Sequence, residues 1–284
     1  MTTTVTTAPL TTAGARIHYR VEGTGPVLLI AQSGEGDADR SADLVARLTD
    51  RHTVVTYDRR GLSRSTLDEP GRTPTIEEHA DDVHRLLAAV TDEPALMLGC
   101  SLGALIGLQL AHDHPGRLHT LIAHEPAAPR LLPAEECAGT LDALAGIQDV
   151  FHRDGWQAAL RGVMAATGIA AHQEREPDAR PQSFGPEREA NFTAFLGHDL
   201  TTLRRSGFGT AEADALAAGP TRVVPAIGET TDPTVYSYRC AEVLAERLGT
   251  DPVRLPGGHN GNLTHPRAFA ARLRELLADA VHTG

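Results

Sequence analysis

The apolar residues of this chain change period again and again. Short, nearly continuous apolar runs at Val27 to Ala31, Thr53 to Tyr57, Ala95 to Leu98 and His119 to Ala123 are each followed by stretches with apolar residues every three or four positions. A run without a polar face suits a strand covered on both sides, and the longer period suits an amphipathic helix. The spacing predicts helices over 75–90, with Ile76, Val83, Leu86, Leu87 and Val90 on one stripe, and over 102–112, ending before Pro115. Ser41 reads as the N-cap of a helix carrying Leu44, Val45 and Leu48. Two β-type stretches, 3–10 and 15–21, open the chain. The alternation resumes near the other end with a strand at 221–227, a helix at 236–248 stopped by Gly249, a strand at 252–255 and a last helix over about 266–280. No internal repeat is present. The expectation is an α/β fold: an eight-stranded, mostly parallel sheet with helices on both faces.

Residues 127–217 break this rhythm. Helices are expected over 134–153, 156–167 and 186–205, with a Pro- and charge-rich link from His172 to Pro186 as the most mobile segment. A helical insertion between two parallel strands falls over the carboxyl ends of the sheet, where α/β folds bind ligands. The chain therefore divides into a core of 1–126 and 218–284 and a helical cap, 127–217, inserted after the sixth expected strand. Phe151, Trp156, Phe184, Phe192 and Phe195 could line a pocket there or pack as core.

Composition narrows the partners. The net charge over 284 residues is −11, and all 26 basic residues are Arg. The acidic balance speaks against nucleic acid and against attraction to anionic membranes. Exclusive use of Arg reads as codon bias of a GC-rich bacterial genome. Cys100, Cys137 and Cys240 are scattered and form no C-x-x-C pair, so neither a disulfide framework nor a zinc site is expected. The Thr-rich start lacks the basic and apolar regions of a signal peptide, and no run is long enough to span a bilayer, so a cytoplasmic location is expected. The sequence calls for no cofactor and no metal. Its expected partner is a small-molecule substrate, and a homodimer is left open.

The chemistry is concentrated at Gly99-Cys100-Ser101-Leu102-Gly103, a G-x-S-x-G between an apolar strand and an apolar helix. That context presents a serine hydroxyl on a sharp strand-to-helix turn. The two glycines let strand and helix approach, and the helix N-terminus aims the Leu102 N–H at a reacting oxygen. With this motif, Tyr57-Asp58-Arg59-Arg60-Gly61-Leu62-Ser63-Arg64-Ser65, and Pro256-Gly257-Gly258-His259 followed by Pro266 and Phe269, the chain resembles the α/β-hydrolase superfamily over nearly its whole length. Its elbow serine places it with the capped, serine-nucleophile branch, apart from branches that use Asp there. The Asp-Arg-Arg-Gly segment reads as a structural turn.

A serine needs a base at neutral pH. His259 follows the last strand, level with the elbow, and is preferred to His265, which precedes a Pro at a helix start. The resemblance also implies a carboxylate behind the histidine, and the residues offer more than one. Asp232 follows the 221–227 strand one residue late for the family's spacing. Glu125 follows the 119–123 strand at the family's other known position, and Glu229 is a third candidate. The usual His-Gly of the oxyanion loop is replaced by Gln32-Ser33-Gly34. The backbone N–H of Ser33 takes the donor position beside that of Leu102, and Gly34 is an alternative because the loop is one residue longer. The implied activity is hydrolysis of an ester, lactone or thioester of a small molecule through an acyl-enzyme. Perhydrolysis, acyl transfer or carbon–carbon cleavage on the same residues remains open, as does a silent ligand-binding member.

Overall fold

Alternate side chains of a pleated strand point to opposite faces, and in the computed structural model this period of two sorts the apolar runs into two cores. Residues 5–181 and 184–281 are described; positions 3 and 4 of the expected first strand and 182 and 183 of the link lie outside them. The strands are β1 Val5–Thr12, β2 Ala15–Gly23, β3 Val27–Ala31, β4 Thr53–Tyr57, β5 Thr66–Leu67, β6 Ala95–Cys100, β7 Leu118–His124, β8 Arg222–Gly228 and β9 Val253–Leu255. Eight follow the apolar pattern; the two-residue β5 is an addition paired with β2. The sheet order is β1-β2-β4-β3-β6-β7-β8-β9. β1, β2 and β5 run antiparallel to their neighbours, and all remaining pairings are parallel.

One face carries Leu29, Val55, Met97 and Leu121 against α2 (Ile76–Val90) and α3 (Leu102–Asp113). The other carries Leu28, Ile30, Val54 and Leu98 against α1 (Ala42–Val45) and the final helix, Pro266–Val281. The central strands are thus buried on both sides, which is why they lack a polar alternate. Thr75 closes α2 with a reciprocal cap to Glu78, satisfying two of the N–H groups a helix leaves unpaired. Ser41 does not cap a helix. Asp37 opens that segment by accepting from the Asp39 N–H, and the Ser41 hydroxyl is bound by Gln32 Nε2 instead.

Between β7 and β8 the chain forms α4 (Ala134–Asp154), α5 (Trp156–Ala166), α6 (Pro186–Ala194), a π-helical turn Phe195–Asp199, α7 (Leu200–Arg205) and α8 (Thr210–Ala217). The single helix expected over 186–205 is therefore divided by the π turn. α8 was not expected, because its apolar stripe is only Ala213 and Leu216; the side chain of Glu212 closes its start on the Gly209 N–H. The described part of the 172–186 link is fastened to the core. The Glu176 carboxylate accepts the N–H groups of Arg267 and Ala268 at 2.7 and 2.9 Å, capping the last helix, and the Arg180 N–H donates to Asp43 at 2.7 Å. α9 (Tyr236–Arg247) and a short α10 (Gly261–Thr264) complete the chain. Among the described residues no helix is long and apolar enough to cross a membrane.

Candidate active site

Ser101 sits on the turn from β6 into α3 with φ 54° and ψ −113°. A non-glycine residue in that region stores about 1–3 kcal/mol and persists only where its surroundings impose it. They do so here: its N–H donates to the His124 carbonyl at 2.9 Å, and its own carbonyl accepts from Ala104, Leu105 and Ala127. The flanking glycines are required by contact. A Cβ on Gly99 would lie 2.5 Å from the Gly103 carbonyl oxygen, and one on Gly103 would lie 2.2 Å from that of Ala31. Leu102 is the first residue of α3, where a helix has no internal acceptor for its N–H.

β7 delivers the next group. Glu125 follows it directly with φ 44°, one of three described non-glycine residues with positive φ, beside Ser63 and Ser101, and is pinned by its N–H to the Ala226 carbonyl at 2.9 Å. Its side chain is wholly buried. Oε1 accepts the Gly228 N–H at 2.8 Å, and Oε2 lies 2.5 Å from Nδ1 of His259. Burial alone would raise the carboxyl pKa, but the hydrogen bond and charge of His259 outweigh it and hold the group down at about 2. His259, on the loop after β9, is also buried, and the Ser237 hydroxyl lies 3.5 Å from the same Nδ1. Behind them His124 is fully buried, with burial pushing its pKa down to about 4, and its ring packs edge-on against Phe269.

Of the candidate carboxylates the structure brings only Glu125 to His259. Asp232 is exposed and accepts both the N–H and the hydroxyl of Thr234, closing its own turn. Glu229 is exposed at the strand end. The His265 ring bonds the Thr264 hydroxyl at 2.9 Å and is not part of the cavity wall.

Ser101 and His259 share the wall of a cavity of about 300 Å³ rather than a hydrogen bond, a separation that closes in many such sites once substrate is bound. Ser33, Gly34 and Leu102 line the same cavity from the core, and Leu144, Val163, Phe184, Phe192 and Phe195 line it from the helical insertion. Phe151 packs toward His152 and Gly197 instead. Trp156 stacks parallel to Phe192 behind the wall, its indole N–H on Glu189 at 2.8 Å. At the cavity edge Glu35 pairs with Arg40 and Arg188, and the Arg188 guanidinium lies 3.9 Å from the Phe184 ring centre. Below the loop lie Arg59, from the Asp-Arg-Arg-Gly turn, and Asp199, which nothing in the sequence marks. Arg59 holds the carbonyls of Ser33 and Gly34, and Asp199, from the π turn, holds Arg59. No local signal joins positions 140 residues apart.

The whole arrangement offers a hydroxyl on a strained turn, a buried imidazole backed by an ionised carboxylate, and amides at a helix start beside an apolar chamber. Residues 26–154 match the model of the alpha/beta hydrolase fold family. The chain is 34% identical over 279 residues to the uncharacterized hydrolase YraK of Bacillus subtilis, covering 96% of this chain and 97% of that one. It is 30% identical over 271 residues to the putative carbamate hydrolase RutD of Variovorax paradoxus, covering 92% and 96%. Among solved structures, an esterase from Exiguobacterium antarcticum superposes with a TM-score of 0.72 at 18% identity, covering 94% of this chain and 97% of that one; at that identity the likeness is one of fold.

Proposed function

Since the chain belongs to the α/β-hydrolase family, we propose that it is a serine hydrolase whose catalytic triad is Ser101, His259 and Glu125, acting on an ester, lactone or thioester of a small molecule. The observation that carries this reading is the strained Ser101 sharing one apolar cavity with a His259 whose Nδ1 is engaged by Glu125. Ser101 Oγ attacks the acyl carbon while its proton passes to His259 Nε2. Glu125, held ionised, keeps the imidazole proton on Nδ1 and stabilises the imidazolium. The Leu102 N–H and an N–H of the Ser33-Gly34 stretch receive the oxyanion. The imidazolium returns its proton to the departing alcohol or thiol, and water, deprotonated by His259, then releases the acid. The helical insertion acts as a cap that keeps this exchange apart from bulk solvent. The cavity's size and its Phe, Leu and Val lining suit an apolar acyl group of small to medium length. Carbamates belong in the substrate panel because of the name of the RutD relative.

Fluorophosphonate labelling tests the reading. Wild type labels and Ser101→Ala does not, and p-nitrophenyl esters are cleaved by wild type alone. An unlabelled wild type that also spares every ester would refute it. Labelling without ester, lactone, thioester or carbamate turnover would instead assign other chemistry to the same serine.

A further inference from the structure

We propose that Arg59 and Asp199 form a clamp that turns the Ser33–Gly34 peptide so that the Gly34 N–H is the second oxyanion donor, making the seating of the helical insertion part of the catalytic geometry. The proposal rests on the hydrolase reading above. Arg59 is the first of the two arginines in the Asp58-Arg59-Arg60-Gly61 turn. Its neighbour Arg60 turns instead to Asp82, with bonds of 2.6 and 2.7 Å. Arg59 is 2% exposed, and each of its three side-chain nitrogens has an acceptor. Nη1 donates to the Ser33 carbonyl at 2.9 Å, Nη2 to the Gly34 carbonyl at 2.8 Å, and Nε to Asp199 Oδ2 at 3.0 Å. The Arg59 N–H also holds the Gly36 carbonyl at 2.8 Å.

A trans peptide carries its C=O and N–H in opposite directions. Drawing the Ser33 oxygen toward Arg59 therefore sends the Gly34 N–H away from Arg59. Gly34 lines the cavity and Arg59 does not, so the side away from Arg59 is the side where an oxyanion would form. Phe195 closes over this point; a Cβ on Gly34 would lie 2.9 Å from its ring, so the donor lies under an apolar cover.

A buried guanidinium needs a counter-charge, and here it comes from the insertion. Asp199 ends the π turn that also supplies Phe195; His79 Nε2 stands 3.6 Å from its other oxygen. The same stretch is fastened nearby. Asn191 accepts the Ser63 N–H and donates to the Ser63 hydroxyl, and Arg188 grips Glu35 through two bonds. The core loop and the insertion are thus locked together through the residues beneath the donor.

The test uses Arg59→Lys, which keeps the charge but not the planar fork, and the double variant Arg59→Met/Asp199→Leu, which removes both buried charges and protects the fold. Active sites are titrated with a fluorophosphonate, so that only competent molecules are counted. The readouts are kcat and KM on a p-nitrophenyl ester, affinity for an alkyl boronic acid that forms a tetrahedral adduct, and the pH profile of kcat/KM. Loss of one oxyanion donor lowers kcat by about 100-fold or more, with KM within about threefold, boronate affinity falling alongside kcat, and the pH midpoint unmoved. A kcat per titrated site within about threefold of wild type in both variants, or a change confined to KM or to thermal stability, overturns the clamp. A wild type that neither takes the phosphonate label nor cleaves any ester overturns the hydrolase reading itself, a different result from labelled variants of normal rate.

Discussion

Replacing Glu125 by Gln changes one oxygen into an amino group and nothing else in the shape of the side chain, so its effect can be worked out from the bonds. Both Glu125 oxygens act as acceptors, one from the Gly228 N–H and one against His259 Nδ1. A Gln offers one acceptor and one donor. With its oxygen on Gly228, its NH2 faces His259, which must then accept at Nδ1 and carry its proton on Nε2. In the proposed mechanism that nitrogen is the one that takes the Ser101 proton. The opposite orientation sets NH2 against the Gly228 N–H and leaves a buried donor unpaired, at about 1–3 kcal/mol. The charge that favours the imidazolium is lost in both. The hydrogen bond and charge of His259 hold the Glu125 carboxyl well below its ordinary range, and the wrong tautomer adds to the loss of that pairing. The expectation for Glu125→Gln is a kcat about 1,000- to 10,000-fold lower on a p-nitrophenyl ester at pH 8, with KM little changed. Asp232→Asn, at an exposed turn, stays within about twofold of wild type. Thermal unfolding of each variant checks that the fold is retained. A folded Glu125→Gln enzyme within tenfold of wild type, or a hundredfold loss in Asp232→Asn, would refute this account of the carboxylate.

Acid titration of stability follows from two buried groups. Glu125 has a folded pKa below its ordinary 4.5, so its contribution is present above 4.5 and lost as pH falls toward 2. His124 has a folded pKa below its ordinary 6.5, so the unfolded chain binds the proton first and stability falls between pH 6.5 and about 4. Urea unfolding at pH 7, 5.5 and 4 should show that decline in wild type and a flatter one in His124→Phe; equal slopes would exclude His124 as its source. Gly103→Ala drives a methyl into the Ala31 and Gln32 carbonyls, and a loss of about 3 kcal/mol or more, with a clear drop in melting temperature, is expected; unchanged melting would contradict the close strand–helix approach. Phe192→Ala opens the apolar wall of the cavity, so the preferred acyl chain in a p-nitrophenyl ester series should lengthen by some carbons, and an unshifted preference would place that wall away from the acyl group.

The sequence by itself determined the parts of this protein that depend on local periodicity and on close backbone approach. Leu28 and Ile30 against Leu29 and Ala31 already describe a strand with two apolar faces, and the order of such runs describes the sheet. Gly99-Cys-Ser-Leu-Gly marks the turn because no Cβ fits at either flank, and a histidine after the last strand must lie at the same edge of a parallel sheet. Short elements escaped, since α8 and β5 carry too few apolar positions for a period, and the π turn interrupts a helix without changing its composition. The cap of the 38–45 segment moved from Ser41 to Asp37 because the Ser41 hydroxyl is bound by Gln32 across the loop. What only the tertiary structure decided are the pairings between distant positions. Asp232 and Glu125 each follow a strand of the same sheet and are equally placed in one dimension. The left-handed turn at Glu125, held by the Ala226 carbonyl, directs its carboxylate to His259, while Asp232 bonds its own turn in solvent. Arg59 stands in a segment that reads only as a turn, and Asp199 is unremarkable where it stands in the chain. A hydrogen bond acts over about 3 Å of space and is indifferent to sequence separation, so these partners are fixed by how the insertion sits on the sheet and by nothing local to either residue.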